Sequence, residues 1–369
     1  MAMTQDRFES LVKGLERYAA THPAGYKVRV VLLAILGYAY VLAVILLAIV
    51  LMGLLGLVLV VSKANILAVK LGAKFGLPLL LLLGVILRAL WVRLEEPAGI
   101  PLSRKDFPRL FQAIDEMRAR LKGPRIHQVL LDGDFNAGAT QIPKMGLLGW
   151  PRNYLTVGLP LMQALSSEQF LAVVAHEYGH LSGAHGRLGA WIYRIRMTRY
   201  RLMETLGEQR HWGKFVFERF LNWYAPFFNA YSFVLARSDE YAADRCAADL
   251  VGADQTAAAL ANVHVRGQFL HESFWPGLYR QADERPEPAF APYQALGSLL
   301  RSPFTEEKAR EWLAQALQVE TDLDDTHPAL RDRLNALGVE VRPPGELEVS
   351  AAEHFLGGRL EELRGRLDR

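Results

Sequence analysis

The hydrophobic positions of this chain are not spread evenly. From Val30 to Ser62 there is no charged residue, and the run is bounded by Arg29 and Lys63. As a helix it would be roughly 50 Å long against a hydrocarbon core of about 30 Å. That is room for one membrane span with a tilt or a projecting end, and not for two. Gly53 and Gly56 predict a loosening near its far end. A second uncharged run, Phe75 to Leu87, carries Pro78 in its first turn and is followed by Arg88, Trp91 and Arg93. It is short for a span and works if Arg88 snorkels and Trp91 lies among the headgroups. The pattern predicts spans at about 30–61 and 75–92 within an anchor covering residues 1–94. The alternative for the second span is an interfacial or re-entrant helix.

From about Glu95 onward the apolar residues become periodic. Phe107 to Leu121 repeats as a helix, and Ile126 to Leu131 and Tyr154 to Val157 are short strand-like runs. The glycine-bearing stretch Asp132 to Trp150 between them reads as loop. Ser166 and Ser167 cap a helix that runs to about Leu181. Further helices are expected from Leu188 to about Leu206 and from near Arg237 to about Leu250. Gln281 to Tyr293, with three prolines, reads as a loop. The fold class expected is mainly α with a small β-sheet, the spanning helices being followed by a soluble domain over residues 95–369.

Composition narrows the choices. The single cysteine, Cys246, excludes a disulfide framework and an all-cysteine metal site. A formal charge of +3 gives no reason to expect nucleic acid as a partner. The first apolar run is too long and too far from the N-terminus for a cleaved signal peptide. Basic residues crowd the outer flanks of the two runs (Arg7, Lys13, Arg17, Lys27, Arg29, Arg93, Arg104, Lys105 and Arg109). Only Lys63, Lys70 and Lys74 lie between the runs. With two spans, the positive-inside rule places the large C-terminal part in the cytoplasm; with one span it reverses.

The chemistry lies in His176-Glu177-Tyr178-Gly179-His180. On a helix, positions i and i+4 project from one face, so two imidazoles can share one zinc ion, with Glu177 beside them as the base for an attacking water. The chance alternative is a pair of ordinary surface histidines. A catalytic site needs a third protein ligand, and a third histidine six positions on is absent, since residue 186 is Gly. Ser238 to Asp244 offers carboxylates instead. Glu240 would complete the metal site and Asp244, four residues on, would hydrogen-bond the far nitrogen of a ligand histidine. Ala242 and Ala243 are small enough to let two helices approach. Alone, the stretch would read as a solvated acidic face.

Taken together, these features resemble the HtpX-like and CAAX prenyl protease family of integral-membrane zinc metallopeptidases, of the gluzincin type. The ordered match comprises apolar spans, His176 to His180, Glu240 with Ala243-Asp244, and Thr326-His327-Pro328-Ala329-Leu330-Arg331-Asp332-Arg333-Leu334. It also includes Phe135-Asn136-Ala137, which looks like the family's Asn-Ala stretch on the strand that lines the substrate groove. The resemblance covers roughly Leu121 to Leu337. It implies a zincin-like domain with one Zn2+ held by His176, His180 and Glu240, and Glu177 as general base. Asn136 would hold the substrate backbone, and His327 and Arg333 would support the tetrahedral intermediate or the active-site wall. It further implies a polypeptide substrate, unfolded or membrane-derived, and a lipid bilayer as partner. Richness in Ala, Leu and Arg suggests a bacterial source, and with the positive-inside rule the expected location is an inner membrane with the peptidase domain in the cytoplasm.

The chain departs from that family between the two metal motifs. Where two further hydrophobic segments are usual, residues 187–236 are rich in arginine and aromatics, including Arg194, Arg196, Arg199, Arg201, Arg210 and Arg219. This insertion reads as a lid or as an interfacial helix rather than two spans. Its aromatic stretch Phe215 to Leu235, interrupted by Glu218, Arg219, Asn222, Pro226 and Asn229, leaves one further span as the less favoured alternative. Two alternatives stay open: a latent peptidase released by a partner or lipid, and a non-catalytic membrane adaptor stapled by zinc.

Overall fold

The structure is a computed structural model. It describes residues 3–90, 95–143, 151–182, 213–283, 285, 289–301, 304–322 and 325–368, together with eight single positions between 189 and 202. Its described residues fall into two compact units. One takes in 1–94, 143–150 and 188–236; the other takes in 95–142, 151–187 and 237–369. The fold is mostly helical with one four-stranded sheet.

In the first unit, α1 (Gln5–Thr21) precedes α2 (Pro23–Val61), a single helix of 39 residues. α3 (Ile66–Leu90) follows with 25 residues, and both are long and apolar enough to cross a membrane. The first span starts earlier than expected and runs unbroken through Gly53 and Gly56, because an interior glycine costs a helix only about 1 kcal/mol. The second is helical from Ile66, past Lys70 and Lys74, and not from residue 75. Its backbone widens to a π-type turn at Gly72–Gly76, ahead of Pro78, whose nitrogen has no hydrogen to donate to the preceding turn. Asn65 caps its start by accepting from the Ala68 N–H at 2.8 Å. Trp91 and Arg93 lie outside the described residues.

α7 (Gly213–Val251) is one helix of 39 residues with Pro226 inside it, where the sequence suggested an interrupted aromatic stretch and a separate helix from Arg237. A proline removes one main-chain bond, and here tertiary packing carries the helix across it. Within the first unit, tyrosine hydroxyls stitch α2 to the first half of α7. Tyr26 donates to the Tyr231 carbonyl (2.5 Å), Tyr40 to Val216 (2.6 Å) and Tyr224 to Leu33 (2.9 Å). Gly37 leaves the space that the Tyr224 ring occupies; a Cβ there would stand 2.7 Å from its hydroxyl. Most of the arginine-rich part of the insertion, including Arg194, Arg199, Arg201 and Arg210, lies outside the described residues.

The second unit opens with β1 (Ile100–Leu102) and α4 (Pro108–Leu121). β2 (Gln128–Asp132), β3 (Ala137–Pro143) and β4 (Pro151–Gly158) follow, in the sheet order β1-β2-β4-β3. β1 pairs antiparallel with β2 (Leu102 opposite Val129), and β2 pairs parallel with β4 (Leu131 opposite Val157). The glycine content of residues 132–150 predicts a loop, whereas the structure has an edge strand there, as the resemblance at Phe135-Asn136-Ala137 implies; half-polar residues are tolerated on an edge because only one side is paired. Its neighbour β4 ends at Gly158, whose N–H donates to the Asn136 carbonyl at 2.8 Å.

α5 (Leu159–Ala164) leads into α6 (Ser167–Leu181). α8 (Ala253–Phe269), α9 (Trp275–Tyr279), α10 (Pro292–Leu299), α11 (Glu306–Gln318), α12 (Leu330–Leu337), α13 (Ala351–Leu356) and α14 (Leu360–Leu367) complete the unit. One core joins Ile114 and Met117 of α4 to Val129, Leu155 and Val157 of the sheet and to Phe170 and Val174 of α6. A second core joins Ala261 and Val265 of α8 to Trp312 of α11 and to Leu330 and Leu334 of α12. α8 contributes to both, since Ala259 packs into the first. The cleft between these two cores holds the candidate site.

Candidate metal centre

α6 starts where the sequence places its cap. Ser166 Oγ accepts from the Gln169 N–H and Gln169 Oε1 accepts from the Ser166 N–H, both at 3.3 Å, a reciprocal box that satisfies two otherwise orphaned donors. Three turns later the helix delivers His176 and His180 to one face. Their rings are 4.9 Å apart and nearly perpendicular. α7 lies against α6 at Gly179: a Cβ there would meet Ala243 Cα at 3.2 Å and Cys246 Cβ at 3.4 Å. Ala243 is buried in this contact, whereas Ala242 is only partly buried.

That close approach brings Glu240 to the histidines. His176 Nε2 and His180 Nε2 are 3.3 Å apart, and each stands 3.4 Å from an oxygen of Glu240. Two donor atoms bound at about 2.0–2.1 Å to a tetrahedral ion stand about 3.3 Å apart, so the spacing is that of three ligands around one ion. Glu240 Oε2 is buried and accepts no hydrogen bond among the described residues, a costly state for a carboxylate unless a cation takes it up. The donor set therefore fits a metal ion.

The histidine tautomer fits as well. His176 Nδ1 is 2.9 Å from Asp244 Oδ1. A carboxylate only accepts, so Nδ1 carries the proton and Nε2 turns its lone pair to the centre. Asp244 is gripped in turn by Arg333, whose Nε donates to Oδ2 (2.8 Å) and Nη2 to Oδ1 (2.5 Å). Burial pushes the Asp244 carboxyl up, but Arg333 and His176 outweigh it and hold it down at about 2. Glu240 is likewise pushed up by burial and brought below its ordinary value by the His176 ring.

Glu177 has the opposite balance. Burial raises its pKa, against the opposing pull of His176 and a hydrogen bond from the Ala139 main chain. A carboxylate whose pKa is raised holds a proton more readily and can still give it back, as a general base must. Glu177 and His176 line a cavity of about 450 Å³, together with Asn136, Asp244, His327 and Arg333.

The residues singled out from the sequence thus converge, though not all in the expected way. Asn136 is exposed at the cavity, just ahead of β3. His327, with its side chain 60% exposed, places Nε2 3.6 Å from Glu240 Oε1. Arg333 is on the cavity wall, and its guanidinium forks onto Asp244 behind His176. Sequence reasoning passed over Arg237, Asp325 and His264. Arg237 lies one helical turn before Glu240 and could have been found by that i, i+3 spacing.

A helix bearing two histidines and a glutamate, closed by a glutamate from a second helix and set beside an edge strand, defines a metallopeptidase. The chain belongs to peptidase family M48, the family of the HtpX and CAAX protease metallopeptidases; the family's model matches residues 114–341. No curated protein and no solved structure matches the chain.

Proposed function

We propose that the protein is a membrane-anchored zinc metalloendopeptidase that cuts unfolded or membrane-derived polypeptides, in membrane-protein quality control. The observation that carries the reading is the cluster of His176 Nε2 and His180 Nε2, 3.3 Å apart, each 3.4 Å from a different oxygen of the Glu240 carboxylate, with Glu177 in the adjoining cavity. One zinc ion per chain would be held by these three residues. Bound there, it would lower the pKa of water to about 7 and polarise the scissile carbonyl.

The protein's own groups supply the rest. Glu177 takes the proton of the attacking water and passes it to the leaving amine. The substrate backbone lies along β3 as an added strand; β3 is a sheet edge, and its Ala139 main chain is already beside Glu177. Asn136, ahead of that strand, helps to hold the substrate backbone. His327 at the cavity mouth, in its imidazolium form with Nδ1–H on Asp325, donates from Nε2 to the developing oxyanion, and such donors are worth about 10²–10³ in rate. Arg333 and Asp244 keep His176 in its metal-binding tautomer. The basic flanks of α2 and α3 support a cytoplasmic peptidase domain, and the richness in Ala, Leu and Arg supports a bacterial inner membrane as its location.

The test is cleavage of casein by the detergent-purified chain, comparing wild type with Glu177→Gln, each with chelator and then with zinc restored. Cleavage by wild type alone, lost to chelator and recovered with zinc, is the expected result. Cleavage by Glu177→Gln, or cleavage indifferent to chelator, overturns the reading.

A further inference from the structure

Arg237 is buried on α7, one turn ahead of Glu240. Its guanidinium donates to the carbonyl oxygens of Asp322 and Asp325, the latter at 3.1 Å. Asp325 in turn holds the residue two positions on. Its Oδ1 accepts from the His327 main-chain N–H at 2.9 Å and lies 3.1 Å from His327 Nδ1. His327 Nε2 then points back to the site, 3.6 Å from Glu240 Oε1. The path leaves α7 beside one metal ligand and returns to that same ligand.

The exposure of these side chains decides what this path does. His327 is 60% exposed and Asp325 67% exposed, so neither is aimed by packing. An exposed imidazole samples several rotamers unless hydrogen bonds choose one. Asp325 can choose it only if its own backbone is fixed; its N–H donates to Asp322 Oδ1 at 3.1 Å, and the guanidinium buried in α7 holds the carbonyls of both residues of that turn. The far side of the segment has its own anchor. Thr321 Oγ1 donates to Asp332 Oδ2 and accepts from the Ala329 N–H, both at 2.7 Å. That pair fixes the segment to α12 but makes no bond to His327.

We infer that Arg237 is a positioning residue for the peptidase reaction: through Asp325 it aims His327 at the substrate carbonyl over the metal centre. The inference rests on the peptidase reading above. One guanidinium nitrogen, Nη2, serves both carbonyls, and a lysine at this position ends one bond short of it. Misplacing a donor by about 1 Å can cost up to about 10²-fold in rate, so the effect falls on kcat.

The experiment is a pair of double-mutant cycles on the metal-loaded full chain, Arg237→Met with His327→Ala and Asp325→Ala with His327→Ala. Each single change at Arg237 or Asp325 should lower kcat by about tenfold, with KM and metal content held within about twofold of wild type. In the His327→Ala background neither change should cost more than about a further twofold. Losses that multiply in that background, or an unchanged kcat in either single variant, overturn the inference. So does loss of metal from Arg237→Met, because the arginine would then be supporting Glu240.

Should Arg237→Met fail to fold, Arg237→Lys takes its place, with an intermediate kcat expected and a wild-type kcat overturning the inference. A readout independent of turnover is the histidine-selective ¹⁵N spectrum, in which the His327 ring signals are assigned by their absence in His327→Ala. Those signals should move in both the Arg237 and Asp325 variants, and unmoved signals overturn the positioning role. A wild type that binds metal without cleaving casein defeats the peptidase reading alone, and the spectrum still decides whether Arg237 sets His327.

Discussion

Gly179 and Ala243 mark the point where the two ligand-bearing helices touch: a Cβ on Gly179 would lie 3.2 Å from the Ala243 Cα. The metal site depends on this contact, because His176 and His180 come from one helix and Glu240 from the other. Gly179→Ala should be nearly neutral, a shift of a few tenths of an ångström being offset by the roughly 0.5–1 kcal/mol by which alanine outranks glycine in a helix. Gly179→Val should push the helices apart, cost about 1–3 kcal/mol and weaken metal binding. Melting curves and chelator competition on the two variants check this, and a Val variant with wild-type metal affinity would contradict it.

Glu177 stands in the cavity without being one of the three clustered ligands. Glu177→Gln should therefore keep the metal and lose at least about 10²–10⁴ of the rate, the usual contribution of a general base. Metal content by elemental analysis, set beside turnover, separates the two effects. Loss of both together would place Glu177 among the ligands.

Asp244 links a buried arginine to a ligand histidine. Asp244→Ala would leave Arg333 buried without its partner, at a cost of about 3–5 kcal/mol. It would also release the His176 ring, with about 10–100-fold weaker metal binding. In the wild type the Asp244 carboxyl is held at about 2, below its unfolded value, so its contribution to stability is in place above the unfolded pKa and fades as pH falls through about 2. Acid titration of metal-free wild type against Asp244→Asn tests this, and superimposable curves would refute it.

Metal binding should depend on pH in a defined window. In the metal-free protein, burial presses His176 down, but the carboxylates of Asp244 and Glu240 outweigh it and leave the ring raised to about 9. His180 is brought down to about 4 by burial and by the neighbouring His176. Between those values His180 is neutral and His176 is an imidazolium with its second proton on Nε2, which the metal must displace. Apparent affinity should rise about tenfold per pH unit across that window and level off above it. The raised His176 pKa also stabilises the metal-free fold below the unfolded value, an effect lost as pH rises through about 9. A chromophoric chelator titration at several pH values reads the slope, and a flat profile through neutral pH would show that no proton is exchanged.

Local patterns were legible in the chain wherever physics acts over a few residues. The capped helix from Ser166 and the i, i+4 histidines follow from spacing on one helix, and the two apolar helices follow from uninterrupted hydrophobicity. Helix limits were less legible: α3 runs through Lys70 and Lys74, and α7 through Pro226, because packing and long side chains tolerate what a residue-by-residue reading treats as a stop. The residue pattern alone points to a loop at β3, because an edge strand with glycine and threonine carries no strong alternation; only the resemblance at Phe135-Asn136-Ala137 implies a strand there.

By itself the sequence determined which residues could bind a metal and act as its base, and that Glu240 and Asp244 share a helix face. It could not show that Arg333 grips Asp244 rather than facing the substrate, or that Arg237 reaches the backbone beside His327. Those pairs are 89 and 88 residues apart at their bonded positions. Only the close packing of α6, α7 and α12 brings them within hydrogen-bond range. Sequence spacing encodes contacts along one element, where geometry is fixed by the helix repeat. Contacts between elements depend on where small residues such as Gly179 and Ala243 let those elements meet.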